Sequence, residues 1–158
     1  MISDNQITTE QLVDAADAAT KKAFEGKFEN EKINDFLESI RGVNAPAPIA
    51  ATGGIIFVGI FGEVVCEPMD RPYIFKRKSW GVGAAGVRSV GLLYTAYDSW
   101  NSLWKNTTSY HAQGIAKAGG IFQINFFNKK GIPIGQFNGP AIGIALFEVG
   151  GSGKWKKK

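Results

Sequence analysis

The stretch that most constrains the fold is residues 121–139, IFQINFFNKKGIPIGQFNG. Phe122, Ile124 and Phe126 alternate with Gln123 and Asn125, a period of two that marks a half-buried strand. Asn128-Lys129-Lys130-Gly131 supplies a type I turn, with Asn at its first position and Gly at its last. Ile132, Ile134 and the Gln136-Phe137 pair return as a second strand. The stretch therefore predicts a β-hairpin whose register is set by its turn. Nearly everything from about Gly53 onward reads the same way, so the expectation is a small all-β domain organised around this hairpin.

The chain in front of that domain differs in kind. Thr8 and Gln11 have the spacing of a capping box, and Ala15, Ala16, Ala18, Ala19 and Ala23 favour helix, with Gly26 as its stop. A second helix is expected over 31–40, with Ile33, Phe36, Leu37 and Ile40 on one face and Gly42 behind it. Residues 1–42 form an acidic helical arm and 43–53, VNAPAPIAATG, a linker; 54–158 form the β domain with a basic C-terminal tail. Two short helices are marginal alone in water, so the arm is open to docking on the sheet, to self-association or a protein partner through 8–41, or to partial disorder.

Within the β domain, the apolar run 54–66, GIIFVGIFGEVVC, reads as one long first strand with Gly59 and Gly62 permitting bends. Strands follow over 73–80, 87–97, 107–117 and 142–149. Residues 98–104 read as a short helix capped by Asp98, with Trp100, Leu103 and Trp104 on one face. Gly59-Ile60-Phe61 and Gly120-Ile121-Phe122 open similar segments, an echo that suggests two antiparallel halves closing into one barrel of about eight strands.

Charge is divided between these parts. Residues 1–42 hold nine acids and five bases, and 43–158 hold five acids and thirteen bases, so the net +4 is the sum of −4 and +8. A basic β domain points to an anionic partner. Lys76, Arg77 and Lys78 precede Trp80, and Trp155 precedes Lys156, Lys157 and Lys158; lysine beside indole is the composition of a membrane–water interface anchor. The same composition suits stacking on single-stranded nucleic acid, although no nucleic-acid partner is favoured. Trp100, Leu103 and Trp104 are expected to plug one end of the barrel or to form an interaction helix.

Catalytic chemistry finds little to stand on. His111 is the only histidine and Cys66 the only cysteine, too few for a zinc site, and no nucleophile elbow or Walker loop is present. Cys66 excludes an internal disulfide and reads as a buried, inert thiol. Gly81-Val82-Gly83-Ala84-Ala85-Gly86 matches a dinucleotide-binding pattern, but a strand rather than a helix follows it. No catalytic, cofactor or metal site is expected. No run reaches the ~20 apolar residues of a membrane span. The start, MISDNQITTE, has no signal-peptide pattern, so export would need another route or a leader already removed, and a cytoplasmic location stays open.

Ile124-Asn125-Phe126-Phe127, Gly131, Gly135, Phe137, Gly139 and the terminal Gly150-Gly151-Ser152-Gly153 before an aromatic residue resemble the virulence-associated protein (Vap) family of intracellular actinobacterial pathogens. Leu93, Tyr94 and Thr95, followed by Trp100 and Leu103, are similar to that family's strand and short helix. The resemblance spans roughly 54–155 and is sharpest over 92–155. It implies a compact eight-stranded antiparallel barrel of two Greek-key halves, a non-enzymatic virulence-associated or toxin-like protein, secretion, and action on host membranes. A barrel holding a small ligand or glycan is the alternative function. The acidic two-helix arm and the lysine tail depart from the family pattern.

Overall fold

The 121–139 stretch forms the hairpin its pattern predicts, but neither face of it meets water. A computed structural model describes residues 8–58, 60–80, 85–116, 119–141 and 146–158, without the side chains of 57, 58, 79, 80 and 85. In chain order the elements are α1 (Thr9–Phe24), α2 (Asn30–Arg41), β1 (Ile49–Val58), β2 (Phe61–Pro68), β3 (Tyr73–Trp80), β4 (Ala85–Thr95), α3 (Trp100–Asn106), β5 (Ser109–Ile115), β6 (Ile121–Phe127), β7 (Pro133–Pro140), β8 (Phe147–Ser152) and β9 (Trp155–Lys157).

At the β6–β7 turn, the Gly131 amide donates to the Asn128 carbonyl at 2.9 Å, and Asn128 Oδ1 accepts from the amides of Lys130 and Ile132. Gly131 adopts φ +75°, the left-handed conformation that a glycine after a type I turn supplies at little cost. The register shifts between Phe126 and Phe127.

Among the described residues all ladders are antiparallel and form one nine-stranded sheet, ordered β8-β5-β6-β7-β4-β1-β2-β3-β9. Each half, β8-β5-β6-β7 and β4-β1-β2-β3, has the spatial order 4-1-2-3 of a Greek key. The sheet curls, yet it is not the closed eight-stranded barrel expected. No ladder joins β8 to β3 among the described residues. Instead the final segment changes partner: Ser152 still pairs with Ser109 of β5, whereas Trp155 pairs with Phe75 of β3. The count also differs because the apolar run 54–66 is two strands. It folds back on itself, so that Val58 faces Phe61 and Ile55 faces Val64. The first strand begins at Ile49, inside the expected linker.

Inside the curl, Phe75, Phe122, Phe126, Phe137, Ile55, Val64, Leu93, Leu103 and Ile124 are fully buried and fill the space. Phe75 meets Phe126 edge-on at 5.1 Å between ring centroids, and Phe122 lies 6.1 Å from Phe137. Dense apolar filling of this kind is the main stabilising contribution to the sheet.

The arm covers the outer face. The capping box of α1 forms as expected: Gln11 N donates to Thr8 Oγ1 and Thr8 N to Gln11 Oε1. Ile33, Phe36, Leu37 and Ile40 pack with Phe24 and with Tyr94 of β4 in a second apolar cluster. Undocked or disordered helices are therefore not what the chain adopts; the apolar stripe is buried within the same chain. Ala16 and Ala19, lacking bulk, let α1 approach β6 and β7 closely.

Between α1 and the sheet lies a closed ring of four buried amides. Gln123 Nε2 donates to Asn138 Oδ1 (2.8 Å), Asn138 Nδ2 to Gln136 Oε1 (2.7 Å), Gln136 Nε2 to Asn125 Oδ1 (2.7 Å) and Asn125 Nδ2 to Gln123 Oε1 (3.1 Å). The cross-strand pairs Gln123↔Asn138 and Asn125↔Gln136 set these side chains opposite one another. The polar side of the hairpin, expected to face solvent, thus faces α1. Its burial is tolerated because every amide is hydrogen-bonded, which removes most of the desolvation cost.

Candidate functional site

Pleating divides the basic run of β3. Lys76 and Lys78 point outward, while Arg77 shares the inward parity of Tyr73 and Phe75 at the seam, where Nη2 reaches Ser152 Oγ of β8 at 3.5 Å. All three remain exposed. Lys76 Nζ lies 3.9 Å from Glu63 Oε1, and Lys78 makes no ion pair among the described residues. The backbone of Trp80 pairs with Phe61, and its side chain lies outside the described residues.

The tail is not a free tail. Trp155, expected at the surface, is 6% exposed and sits among Phe75, Trp104 and Phe126, with Nε1 donating to Thr107 Oγ1 at 3.1 Å. An indole that loses its water and gains a hydrogen bond belongs to the core and offers no membrane anchor. Lys156 and Lys157 stand in β9 opposite Ile74 and Tyr73, and Lys158 Nζ meets Glu67 Oε2 at 2.9 Å. Three residues are too few for an alternating pattern to show in the sequence.

Helix α3 turns its apolar face to the same core. Leu103 is fully buried, Trp104 is 6% exposed and Trp100 is half-buried, with Trp104 stacked on Tyr73 at 5.2 Å. Its cap is Ser99, whose hydroxyl accepts from the Ser102 amide, rather than Asp98.

The arm lies over β4, β6 and β7, and among the described residues nothing packs over the outer face of β1, β2, β3 and β9. Arg88, Lys76, Lys78, Lys156 and Lys158 stand on this side with two carboxylates, Glu63 and Glu67. Between them Ile56 is 52% and Val90 61% exposed. A shallow recess of about 240 Å³ is lined by Thr52, Gly54, Ile56, Glu63, Val65 and Arg88. Five bases against two acids, interleaved with exposed aliphatic side chains, make an electropositive and partly apolar surface. Sequence pattern locates Lys76, Lys78, Lys156 and Lys158 but does not single out Arg88, Ile56 or Val90; for Ile56 the reason is the single long strand expected where a hairpin forms.

His111 and Cys66 fall on opposite faces of the sheet, so no thiol–imidazole pair forms. Cys66 is fully buried on the inner side, and burial pushes its thiol well above the ordinary range. On the outer side His111 Nε2 contacts Glu148 Oε1 at 2.5 Å, and this hydrogen bond holds the Glu148 carboxyl below its usual value. His111 also lines a recess of about 350 Å³ with Phe24, Lys27, Phe28 and Phe127. Of the glycine-rich motif, 81–84 lies outside the described residues; β4 begins at Ala85, so no helix starts where a pyrophosphate would need one. No group of three or more metal-ligating side chains occurs among the described residues, and no helix is long and apolar enough to cross a membrane.

The profile of the family described as Rhodococcus equi virulence-associated protein matches residues 4–156. Two solved structures are similar in fold. The virulence-associated protein VapB from the intracellular pathogen Rhodococcus equi gives a TM-score of 0.60 at 20% identity, covering 71% of this chain and 98% of its own. VapD of the same organism gives 0.59 at 22% identity, covering 70% of this chain and 97% of its own. No curated protein matches the chain. With a family match over nearly its whole length and the curled sheet shared with two solved members, the chain belongs to the Rhodococcus equi virulence-associated protein family.

Proposed function

We propose that this family member acts by binding rather than catalysis, and that it associates with anionic host membranes, outside the cell that makes it, through the uncovered outer face of β1, β2, β3 and β9. The observation that carries the reading is the concentration of Lys76, Lys78, Arg88, Lys156 and Lys158 on the half of the sheet that the arm leaves open. Juxtaposed lysines attract anionic headgroups, each adding about 1 kcal/mol near a charged surface. Exposed Ile56 and Val90 supply apolar area for the interface. Phe75, Phe122, Phe126 and Phe137 fill the interior, which argues against a small ligand or glycan held inside the curl.

Vesicle flotation tests the reading. The protein should float with phosphatidylglycerol-containing vesicles and not with phosphatidylcholine alone, and added salt should weaken the association. A Lys76→Glu, Lys78→Glu, Lys156→Glu variant should lose it. Equal, negligible binding to both vesicle types would remove the proposal.

A further inference from the structure

The end of α1 and the outer face of β5 and β6 enclose a recess on the half of the sheet that the arm covers. Gly26 adopts φ +79°, the left-handed conformation that ends α1, and the amides of Lys27 and Phe28 both return to the Phe24 carbonyl, at 3.0 and 3.1 Å. Phe28 is thereby folded back onto Phe24, with ring centroids 5.1 Å apart, and the two rings lie 6.5 and 5.8 Å from Phe127 of β6. Ser109 and His111, two residues apart on β5, share the outer face of the sheet. With Lys27 these side chains bound a space of about 350 Å³. Gly150 and Gly151 of the edge strand β8 pair with His111 and Tyr110, so at these two positions β8 contributes only backbone. One side of the recess is thus a wall of packed rings. The other is polar and uncommitted: among the described residues the Ser109 hydroxyl has no hydrogen-bond partner and Lys27 no ion-pair partner. Glu148 is engaged elsewhere. Its carboxylate is held by His111 Nε2 at 2.5 Å, and it is not among the side chains that bound the space. Glu25 faces a separate recess between α1 and α2, with Lys21 and Lys22.

We infer that this recess binds a small aromatic carboxylate, its ring against Phe28 and Phe127 and its carboxylate at Lys27 and the Ser109 hydroxyl. The site goes beyond the membrane reading and lies apart from the face that reading uses. A planar apolar body loses water against the ring wall and gains offset or edge-on contacts there. A carboxylate accepts from both free donors, and the charged one makes the stronger bond. An apolar wall with a few convergent polar groups, in a space near the lower end of the range for ligand clefts, is the usual form of a small-molecule site. Charge selects the occupant: an aromatic amine of the same shape would set its ammonium beside Lys27, and like charges brought together weaken binding.

Amide NMR titrations of the full chain with phenylacetate, 2-phenylethylamine and acetate test it. Phenylacetate should give saturable shifts confined to residues 24–28, 109–111, 127 and 148–151. Its Kd should be lower than that of the amine or of acetate by about tenfold or more. Lys27→Glu, at an exposed position, should reverse the order of phenylacetate and the amine. Phe28→Ala with unaltered circular dichroism should weaken phenylacetate by about tenfold. Shifts that do not saturate, or that fall elsewhere on the sheet, would overturn the inference. So would equal affinity for the acid and the amine, equal affinity for acetate, or an order that Lys27→Glu leaves unchanged. Vesicles play no part in these titrations, so the recess and the membrane face stand or fall separately.

Discussion

Gln123 of β6 and Thr20 of α1 join the sheet to the arm: Gln123 Nε2 donates to Thr20 Oγ1 at 3.1 Å. The same hydroxyl accepts from Gln136 Nε2 at 2.8 Å and donates to the Ala16 carbonyl at 2.8 Å. One side chain of the arm therefore docks onto two members of the amide ring. Thr20→Val keeps the shape but strands one N–H of Gln136, while Gln123 Nε2 keeps Asn138 Oδ1 and the Ala16 carbonyl, so it should cost about 1–3 kcal/mol. Urea unfolding should show the loss, and limited proteolysis should show faster cleavage within the arm. Thr20→Ser, which keeps the hydroxyl, should recover most of it.

Arg41 extends the same interface. Its guanidinium bonds Asp17 and Gln136 and lies 4.6 Å from the centroid of the Tyr94 ring. Burial raises the Tyr94 phenol above its ordinary value of 10.0, and Arg41 offsets part of that rise. The unfolded chain thus releases this proton at a lower pH than the folded chain. The contribution is intact below about pH 10 and is lost as pH rises toward the folded value. Unfolding midpoints measured across that range should fall, and Tyr94→Phe should flatten the fall.

Trp155 separates a structural tail from a solubilising one. Trp155→Ala empties a buried indole site and should cost about 3–5 kcal/mol. Lys156→Ala with Lys157→Ala, on the exposed positions beside it, should change stability by no more than about 0.5 kcal/mol. Thermal unfolding of both variants checks the contrast.

Gly53 marks a close approach between β1 and the core. A Cβ there would lie 2.4 Å from Cε2 of Phe137, a fully buried ring. Gly53→Ala should therefore destabilise by about 1–3 kcal/mol through overpacking. Phe137→Leu should be less damaging in the Gly53→Ala background than in the parent, a coupling that a double-mutant cycle reads directly.

Local chemistry made much of this fold legible. The Asn128–Gly131 turn, the Thr8–Gln11 capping box and the α2 stripe each depend on neighbours a few residues apart. The fold-back between Val58 and Phe61 did not show, because the run 54–66 is apolar apart from Glu63 and carries none of the Asn, Asp, Pro or Ser that mark turns. Gln123 looked solvent-facing because Thr20, the α1 residue that bonds it, is 103 residues away, and Asn125 is buried with it through the amide ring. The candidate surface was readable in part. Lys76, Lys78 and Lys156 are exposed as their charge suggests, but the pleat separates Arg77 from its neighbours, and the core takes Trp155. A single indole beside lysines carries no sign of which face its strand will bury.

The central claim is that the uncovered half of the sheet meets anionic lipid while the arm stays docked. Hydrogen–deuterium exchange with and without phosphatidylglycerol vesicles tests it most directly. Vesicles should protect amides of β2 and β3 and leave those of α1 unchanged. Protection confined to α1 and α2, or faster exchange in α1 signalling release from the amide ring, would contradict it.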